Sequence, residues 1–454
     1  MGKTASEAGW RVSRYNLFAP IPGTKNVAIA NLFKGTCAAY PPRDMYLLGE
    51  METLSEDHRI LKRFRERGII VDFDERAALY TMGRLGCTVG GVGLTICPTM
   101  GCNFDCPYCF ENHKAGKMTA EIQADVIALA ERMLEAAREK SLHVTWFGGE
   151  PLLAPDIIEA MSGRLMALCE AKDAEYNADI ITNGYLLTQE NADMLARCRV
   201  KKAQITLDGV GEVHDRTRHL AGGGSTFDRI TDNLRHGKLG FRVIIRHNIH
   251  EGNIGEMDSL KAFVEKLEEE SGNQIEYFPT IVRGNDVSEE RGSDIGLLCA
   301  SDAGEIGALH EVERFAPGHG RFCGAQYLLG LGVDEKGNLQ KCWEDVDKPE
   351  HSFGTAGRWD PKNPITTADT PDNLTKYLDT ALPNRDEECS DCVWLPVCAG
   401  GCPNKRLYDK KDCVPFKDTP EKYVLALYDR MEKEKDDDGK TDNCHWYDDL
   451  CPKC

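Results

Sequence analysis

An α/β fold with a parallel sheet at its centre is what the sequence predicts, and three observations carry it. First, β-rich and helical stretches alternate from about residue 90 to about residue 320. Repeated βα units imply a parallel sheet with right-handed crossovers. Second, the short motifs with chemical potential fall just after the β-rich stretches, where a parallel sheet presents its functional groups. Third, cysteines gather in two tight clusters, one inside this region and one after it.

Six stretches read as strands: "GLTIC" (93–97), "HVTWF" (143–147), "ADIIT" (178–182), "AQITL" (203–207), "FRVIIR" (241–246) and "IEYFPTI" (275–281). Helical stretches fill most of the gaps. In 119–140, Ile122, Val126, Leu129, Met133 and Ala137 recur at spacings of three and four, with Thr119 as N-cap, the signature of one buried helix face. The motifs sit at strand ends: cysteines 102–109 after the first, "GGEP" (148–151) after the second, "NG" (183–184) after the third and "DG" (208–209) after the fourth.

The flanks read differently. Residues 1 to about 88 hold β-leaning pieces, "WRVSRYNLF" and "NVAIANLF", then a charged helical stretch, "EDHRILKRFRERG", ended by Gly68. This is a small α+β binding domain with no cluster of catalytic groups. Beyond about 320 the chain is cysteine-rich and short of regular pattern. The run "EKEKDDDGK" (432–440) reads as a solvated helix end or linker.

Composition narrows the function. At 454 residues the chain has room for two or three domains, and its hydrophobic fraction of 41% lets each bury a core. A formal charge of −19 argues against a nucleic-acid partner, since phosphate binding needs a basic face. No apolar run is long enough for a membrane span, and the first residues lack the apolar core of a secretory signal. A cytoplasmic location is expected. The opening Met1-Gly2 with Ser6 matches a myristoylation pattern only formally. Nineteen cysteines are then the anomaly. Without export they point to metal or catalysis rather than disulfides. Cys37, Cys87, Cys169 and Cys198 lie alone and read as buried apolar thiols; residues 102–109 and 389–402 are spaced too tightly for that.

Cys102, Cys106 and Cys109 supply three soft ligands in C-x3-C-x2-C spacing. Zinc would want a fourth, and His113 four residues on is the alternative that completes such a site. A 4Fe–4S cluster normally takes four thiolates. Three leave one iron open for the amine and carboxylate of a bound molecule.

With the motifs that follow it, this triad resembles the signature of the radical S-adenosylmethionine (SAM) enzymes. The resemblance implies a core that is a partial (β/α)6 TIM barrel, over 89–320. It implies SAM chelated to the open iron, and its reductive cleavage to a 5′-deoxyadenosyl radical. Cys102, Cys106 and Cys109 become cluster ligands and catalytic. Gly148, Gly149 and Glu150 inherit contacts to the methionine amine, with Tyr108 also on the cofactor side. "ITNG" and "ITLDG" resemble family segments, putting Asn183 and Asp208 on the ribose side; both are also common turn residues. "LDGVGEVHDRTRH" and "GGGSTFDRI" resemble the sulfatase-maturase and peptide-modifying branch. His214, Asp215 and Arg216 either face substrate there or cap a helix.

The later cysteines, Cys323, Cys342, Cys389, Cys392, Cys398, Cys402 and Cys413, resemble the SPASM pattern, which implies two auxiliary 4Fe–4S clusters in 321–454, three clusters in all. Cys323, Cys342 and Cys402 would ligate the first; Cys389, Cys392, Cys398 and Cys413 the second. Two zinc sites are the alternative. The first set is one thiolate short: sulfatase maturases carry a further cysteine where this chain has Gly324-Ala325-Gln326. Cys299 or one of Cys444, Cys451 and Cys454 completes it, or its iron is open to a substrate thiol. Residues 1–88, with "SRYN" near the start and "GIIVDFDE" (68–75) near the end, resemble the winged-helix-like recognition domain of peptide maturases. Such domains take a leader peptide as an added β-strand. The expected protein is a radical SAM maturase forming a thioether or other side-chain crosslink on a ribosomal precursor peptide. Its external reductant would be a flavodoxin or ferredoxin. The rivals are a sulfatase maturase making formylglycine, and a non-catalytic iron–sulfur electron carrier or zinc scaffold.

Overall fold

The computed structural model describes residues 3–113, 116–250, 252–281, 323–380, 386–408, 411, 413, 414 and 416–438. Cys299, Cys444, Cys451 and Cys454 lie outside the described residues, as do Met1 and Gly2. The chain forms two compact units. One comprises Met1–Cys87, Ser293–Cys323 and Asp379–Cys454; the other comprises Thr88–Gly292 and Gly324–Leu378.

In the first unit, β2 (Asn16–Pro20), β3 (Val27–Asn31) and β4 (Thr36–Tyr40) form an antiparallel meander, and β1 (Arg11–Val12) pairs with β5 (Ile70–Val71). The charged stretch folds as the helix Arg59–Glu66, burying Ile60, Leu61 and Phe64. It stops at Gly68, whose φ is +72° and where a Cβ would lie 2.7 Å from that of Lys34. Only glycine suits both constraints. "SRYN" and "GIIVDFDE" meet here. The buried Asn31 amide nitrogen lies 2.8–2.9 Å from Ser13 Oγ, Asn16 Oδ1 and Gly68 O. Ser13 Oγ and the Arg14 amide donate to the two carboxylate oxygens of Glu75.

The meander does not close its core alone. Tyr15, Leu17, Ala28 and Ala30 pack with Tyr423, Val424 and Leu427 of the helix Pro420–Asp438, and with Trp394, Leu395 and Val397. Trp394 meets Tyr423 edge-on at 5.0 Å. The first 87 residues and the chain's late cysteine region thus share one apolar core.

The second unit holds all six expected parallel strands: β6 (Val92–Ile96), β7 (Ser141–Trp146), β8 (Glu175–Thr182), β9 (Val200–Thr206), β10 (Arg242–Ile249) and β11 (Ile275–Ile281). They lie side by side in chain order, each parallel to the next. This is the mostly parallel sheet of a partial barrel. The helices Ala120–Ala136, Pro155–Ala171 and Gln189–Arg197 pack Leu129, Met133, Ile158 and Leu195 with Leu94, Val144, Ile180 and Ile205 of the strands. Thr119 caps the first of these helices, accepting from the Ile122 amide. That helix ends before Ala137, which turns extended, so the 119–140 pattern overran it by a turn.

Beyond β6 the sheet continues, which the sequence did not suggest. β12 (Gly330–Val333) joins β6 in parallel, and β13 (Asn338–Gln340) and β14 (Gly354–Thr355) follow antiparallel. Strands of two to four residues are too short to register as periodic patterns.

Candidate functional site

Residues 97–101 carry the chain from β6 into the cysteine loop. Cys102 and Cys106 are half-buried and packed against the barrel core; Cys109 is exposed. Cys102 Sγ accepts from the Phe104 amide at 3.4 Å, and Cys109 Sγ lies 3.1 Å from His113 Nε2. Burial pushes the Cys102 thiol up to about 12 and Cys109 to about 11, and raises Cys106 as well. Three thiols on one loop with their pKa values all raised are poor thiolates alone. A bound metal reverses that preference, because thiols bind as thiolates, so this donor set fits an iron–sulfur cluster. Among the described residues no three His, Cys, Asp or Glu side chains gather tightly enough for a single metal ion. A four-iron cluster places one thiolate on each iron and spreads its ligands more widely than zinc does.

The two glycines of "GGEP" have a role the sequence reading did not give them. Gly148 has φ +110°, and a Cβ there would stand 2.2 Å from Thr99 O. A Cβ on Gly149 would stand 2.4 and 2.5 Å from Gly101 O and Met100 O. The close approach is to the backbone entering the cysteine loop, sealed by Glu150 N donating to Gly101 O at 2.9 Å.

Glu150 is fully enclosed. Its Oε1 accepts from Leu152 N (2.9 Å) and Thr182 Oγ1 (2.7 Å), and its Oε2 from Asn183 N (2.7 Å). Burial raises its carboxyl above the usual range, and these bonds pull it back. A carboxylate has about four acceptor sites, so roughly one remains.

The loop is tied to the next two strand ends by the residues between its cysteines. Asn183 Nδ2, after β8, donates to Asn103 Oδ1 at 2.8 Å. Tyr108 OH donates to Asp208 Oδ2, after β9, at 2.5 Å, and accepts from Arg218 at 2.8 Å. Thr217 Oγ1 donates to the same Asp208 oxygen at 2.9 Å, while Asp208 Oδ1 has no partner among the described residues. Arg218 is 8% exposed and lies over the Phe104 ring at 5.8 Å.

Arg218 is the member of this network that sequence reading did not single out. In "HDRTRH" it stands four residues after His214 and three after Asp215, the spacings that bring side chains to one face of a helix. Those two bond within the fold. The Asp208 amide donates to His214 Nδ1, whose ring also bonds Thr226. Asp215 Oδ1 accepts from Thr226 N and Phe227 N, capping the helix Phe227–His236. Arg216 is exposed.

In the first unit Cys389, Cys392, Cys398 and Cys413 line one recess with Arg406, Lys411 and Lys417. Asp386 caps the turn carrying Cys389, accepting from its amide at 3.1 Å. Burial pushes the Cys398 thiol up to about 12. Four thiols facing basic side chains fit a thiolate-ligated cluster by the same reasoning. Cys323 and Cys402 belong to this unit and the buried Cys342 to the other.

A parallel partial barrel with a three-cysteine loop after its first strand defines a class, and comparison agrees. Residues 96–263 match the Radical SAM superfamily, and this segment is a radical SAM domain. Over 188 residues the chain is 26% identical to an Fe-coproporphyrin III synthase of Methanosarcina barkeri, covering 41% of this chain and 43% of that protein. It is 29% identical over 180 residues to a PqqA peptide cyclase of Methylorubrum populi, covering 39% and 43%. The chain thus spans less than half the length of these curated relatives. Native anSMEcpe with bound AdoMet and Cp18Cys peptide shares the fold, with a TM-score of 0.54 at 20% identity, covering 76% of this chain and 99% of that one. No helix among the described residues is long and apolar enough to cross a membrane.

Proposed function

We propose that the chain is a radical SAM peptide maturase that installs a thioether or another side-chain crosslink on a ribosomal precursor peptide. One observation carries the reading. The loop bearing Cys102, Cys106 and Cys109 is pinned to two neighbouring strand ends, by Asn103 to Asn183 and by Tyr108 to Asp208. Thiols, an enclosed carboxylate and an amide therefore share the carboxyl edge of a parallel sheet. Similarity to a PqqA peptide cyclase supports a peptide as substrate.

Cys102, Cys106 and Cys109 would hold the SAM-binding cluster. When bound, that cluster supplies the electron that cleaves SAM to a 5′-deoxyadenosyl radical. Glu150 would receive the methionine ammonium with its remaining acceptor site. Asn183 and Asp208 would line the ribose side, the latter with its unpartnered Oδ1. Cys389, Cys392, Cys398 and Cys413 would hold one auxiliary cluster; Cys323, Cys342 and Cys402 would serve another. Residues 1–88 would take the leader peptide at a strand edge, and a flavodoxin or ferredoxin would supply electrons.

Anaerobic reconstitution tests this with SAM and dithionite alone. Three clusters bring about 12 irons per chain, four to each cluster. Changing Cys102, Cys106 and Cys109 together to Ala should abolish 5′-deoxyadenosine while keeping most of the remaining iron. Continued 5′-deoxyadenosine formation by that variant rejects the site.

A further inference from the structure

The recess of Cys389, Cys392, Cys398 and Cys413 is ringed by opposed charges, and they are not equivalent. Lys411 reaches carboxylates: Glu388 at 2.5 Å and Asp386 at 3.4 Å. Lys417 bonds Glu388 at 3.0 Å and comes only within 3.9 Å of Cys413 Sγ. Its side chain is 37% exposed, so water screens it. Arg406 differs on both counts. Its NH1 donates to Cys389 Sγ at 3.4 Å and its side chain is 14% exposed. The same nitrogen donates to Gly400 O at 3.3 Å, and NH2 lies 3.6 Å from Asp386, which caps the turn bearing Cys389. The guanidinium is therefore fixed by three groups of the loops that present the thiols. Its planar fork makes such multiple anchoring possible where an ammonium could not.

A hydrogen bond from a cation to a thiolate favours the more negative state of whatever that thiolate ligates. For iron–sulfur clusters the reduction potential follows net charge, hydrogen bonds to sulfur and solvent exposure. Arg406 bears on all three.

We propose that Arg406 is a positioning and potential-setting residue for a cluster held by Cys389, Cys392, Cys398 and Cys413, its guanidinium stabilising the reduced form through the Cys389 sulfur. The inference rests on the reading that these four thiolates bind a cluster. No electron route is implied; the residue sets how readily this cluster holds one.

The test uses the full chain with Cys102, Cys106 and Cys109 changed to Ala, reconstituted anaerobically. A redox titration is followed by electron paramagnetic resonance, and Cys392→Ala identifies the signal of this cluster. Arg406→Gln should retain iron and shift that cluster's one-electron equilibrium toward the oxidised form by about tenfold, which is about 59 mV lower. Arg406→Lys should fall between it and the parent. Lys411→Gln, which removes a charge without touching sulfur, should shift it less. Equal shifts for Arg406→Gln and Lys411→Gln overturn the proposal, because bulk charge would then suffice. Loss of this cluster's iron in both Arg406 variants also overturns it, since the residue would serve assembly rather than potential. If the parent shows no signal that Cys392→Ala removes, the four-cysteine cluster itself fails, a separate result.

Discussion

Replacing Arg218 with Met probes the buried charge behind the cysteine loop. In the wild type its guanidinium donates to Tyr108 OH, which donates to Asp208, a carboxylate with no exposure. Losing a hydrogen bond to a charged group costs about 1.5–3 kcal/mol. Removing one member of a buried ion pair costs about 3–5 kcal/mol. Here the charges communicate through a phenol, which places Arg218→Met near the bottom of that range, at about 3 kcal/mol. Tyr108→Phe deletes the same hydroxyl and both of its bonds, costing about 1–3 kcal/mol. Because both changes break one relay, the double variant should cost less than the sum by about 1–2 kcal/mol. Amide hydrogen exchange of β9 and β10 in the anaerobic apoprotein reads these costs within the barrel. Titration with SAM of the reconstituted protein should show the same coupling in affinity. Strictly additive costs in both measurements would refute the claim that Arg218 acts through Tyr108.

Gly149→Ala should displace the cysteine loop, since its Cβ would enter two backbone carbonyls; weaker SAM binding with a folded barrel by circular dichroism is the expected result. His247 is fully buried, and burial first, then His250, holds its pKa at about 4 against an ordinary 6.5. The depressed value favours the neutral ring in the fold, so its contribution is complete above 6.5 and is lost as pH falls from 6.5 toward 4. At about 1.36 kcal/mol per unit that is roughly 3 kcal/mol, and urea unfolding of His247→Gln should show a flatter acid limb. Deleting residues 1–87 should strip the cover from Tyr423, Val424 and Leu427. The expected outcome is exposed apolar surface, seen as dye binding, and loss of iron from the late cysteines rather than a clean loss of peptide recognition.

The barrel was legible because its signals are local. Each strand stretch is a short apolar run, and each motif follows one, so order along the chain already gives order in space. The cysteine loop was legible for the same reason. Arg218 was not: its value comes from Tyr108, 110 positions away, and no spacing rule links them. The glycines of "GGEP" drew notice as cofactor contacts implied by resemblance, while the close approach they permit in the fold, to the loop backbone, depends on a chain neighbour about 50 residues earlier. The shared core of the meander and the helix Pro420–Asp438 was hidden because each half alone reads as an amphipathic element with an ordinary apolar face.

That shared core sets a clock on biosynthesis. The meander emerges from the ribosome roughly 380 residues before the helix that covers it, and at about 5–20 residues per second this interval lasts tens of seconds. During it, Tyr15, Leu17 and Ala28 have only neighbours of their own segment, such as Leu32, Phe33 and Leu79, and lack the cover of Tyr423, Val424 and Leu427. The late cysteines arrive last, on the same stretch of chain that closes the first-made sheet. Completion of the earliest segment and creation of the four-thiol recess are then a single late event. A chain stopped before the helix Pro420–Asp438 would leave its beginning, as well as its end, unfinished.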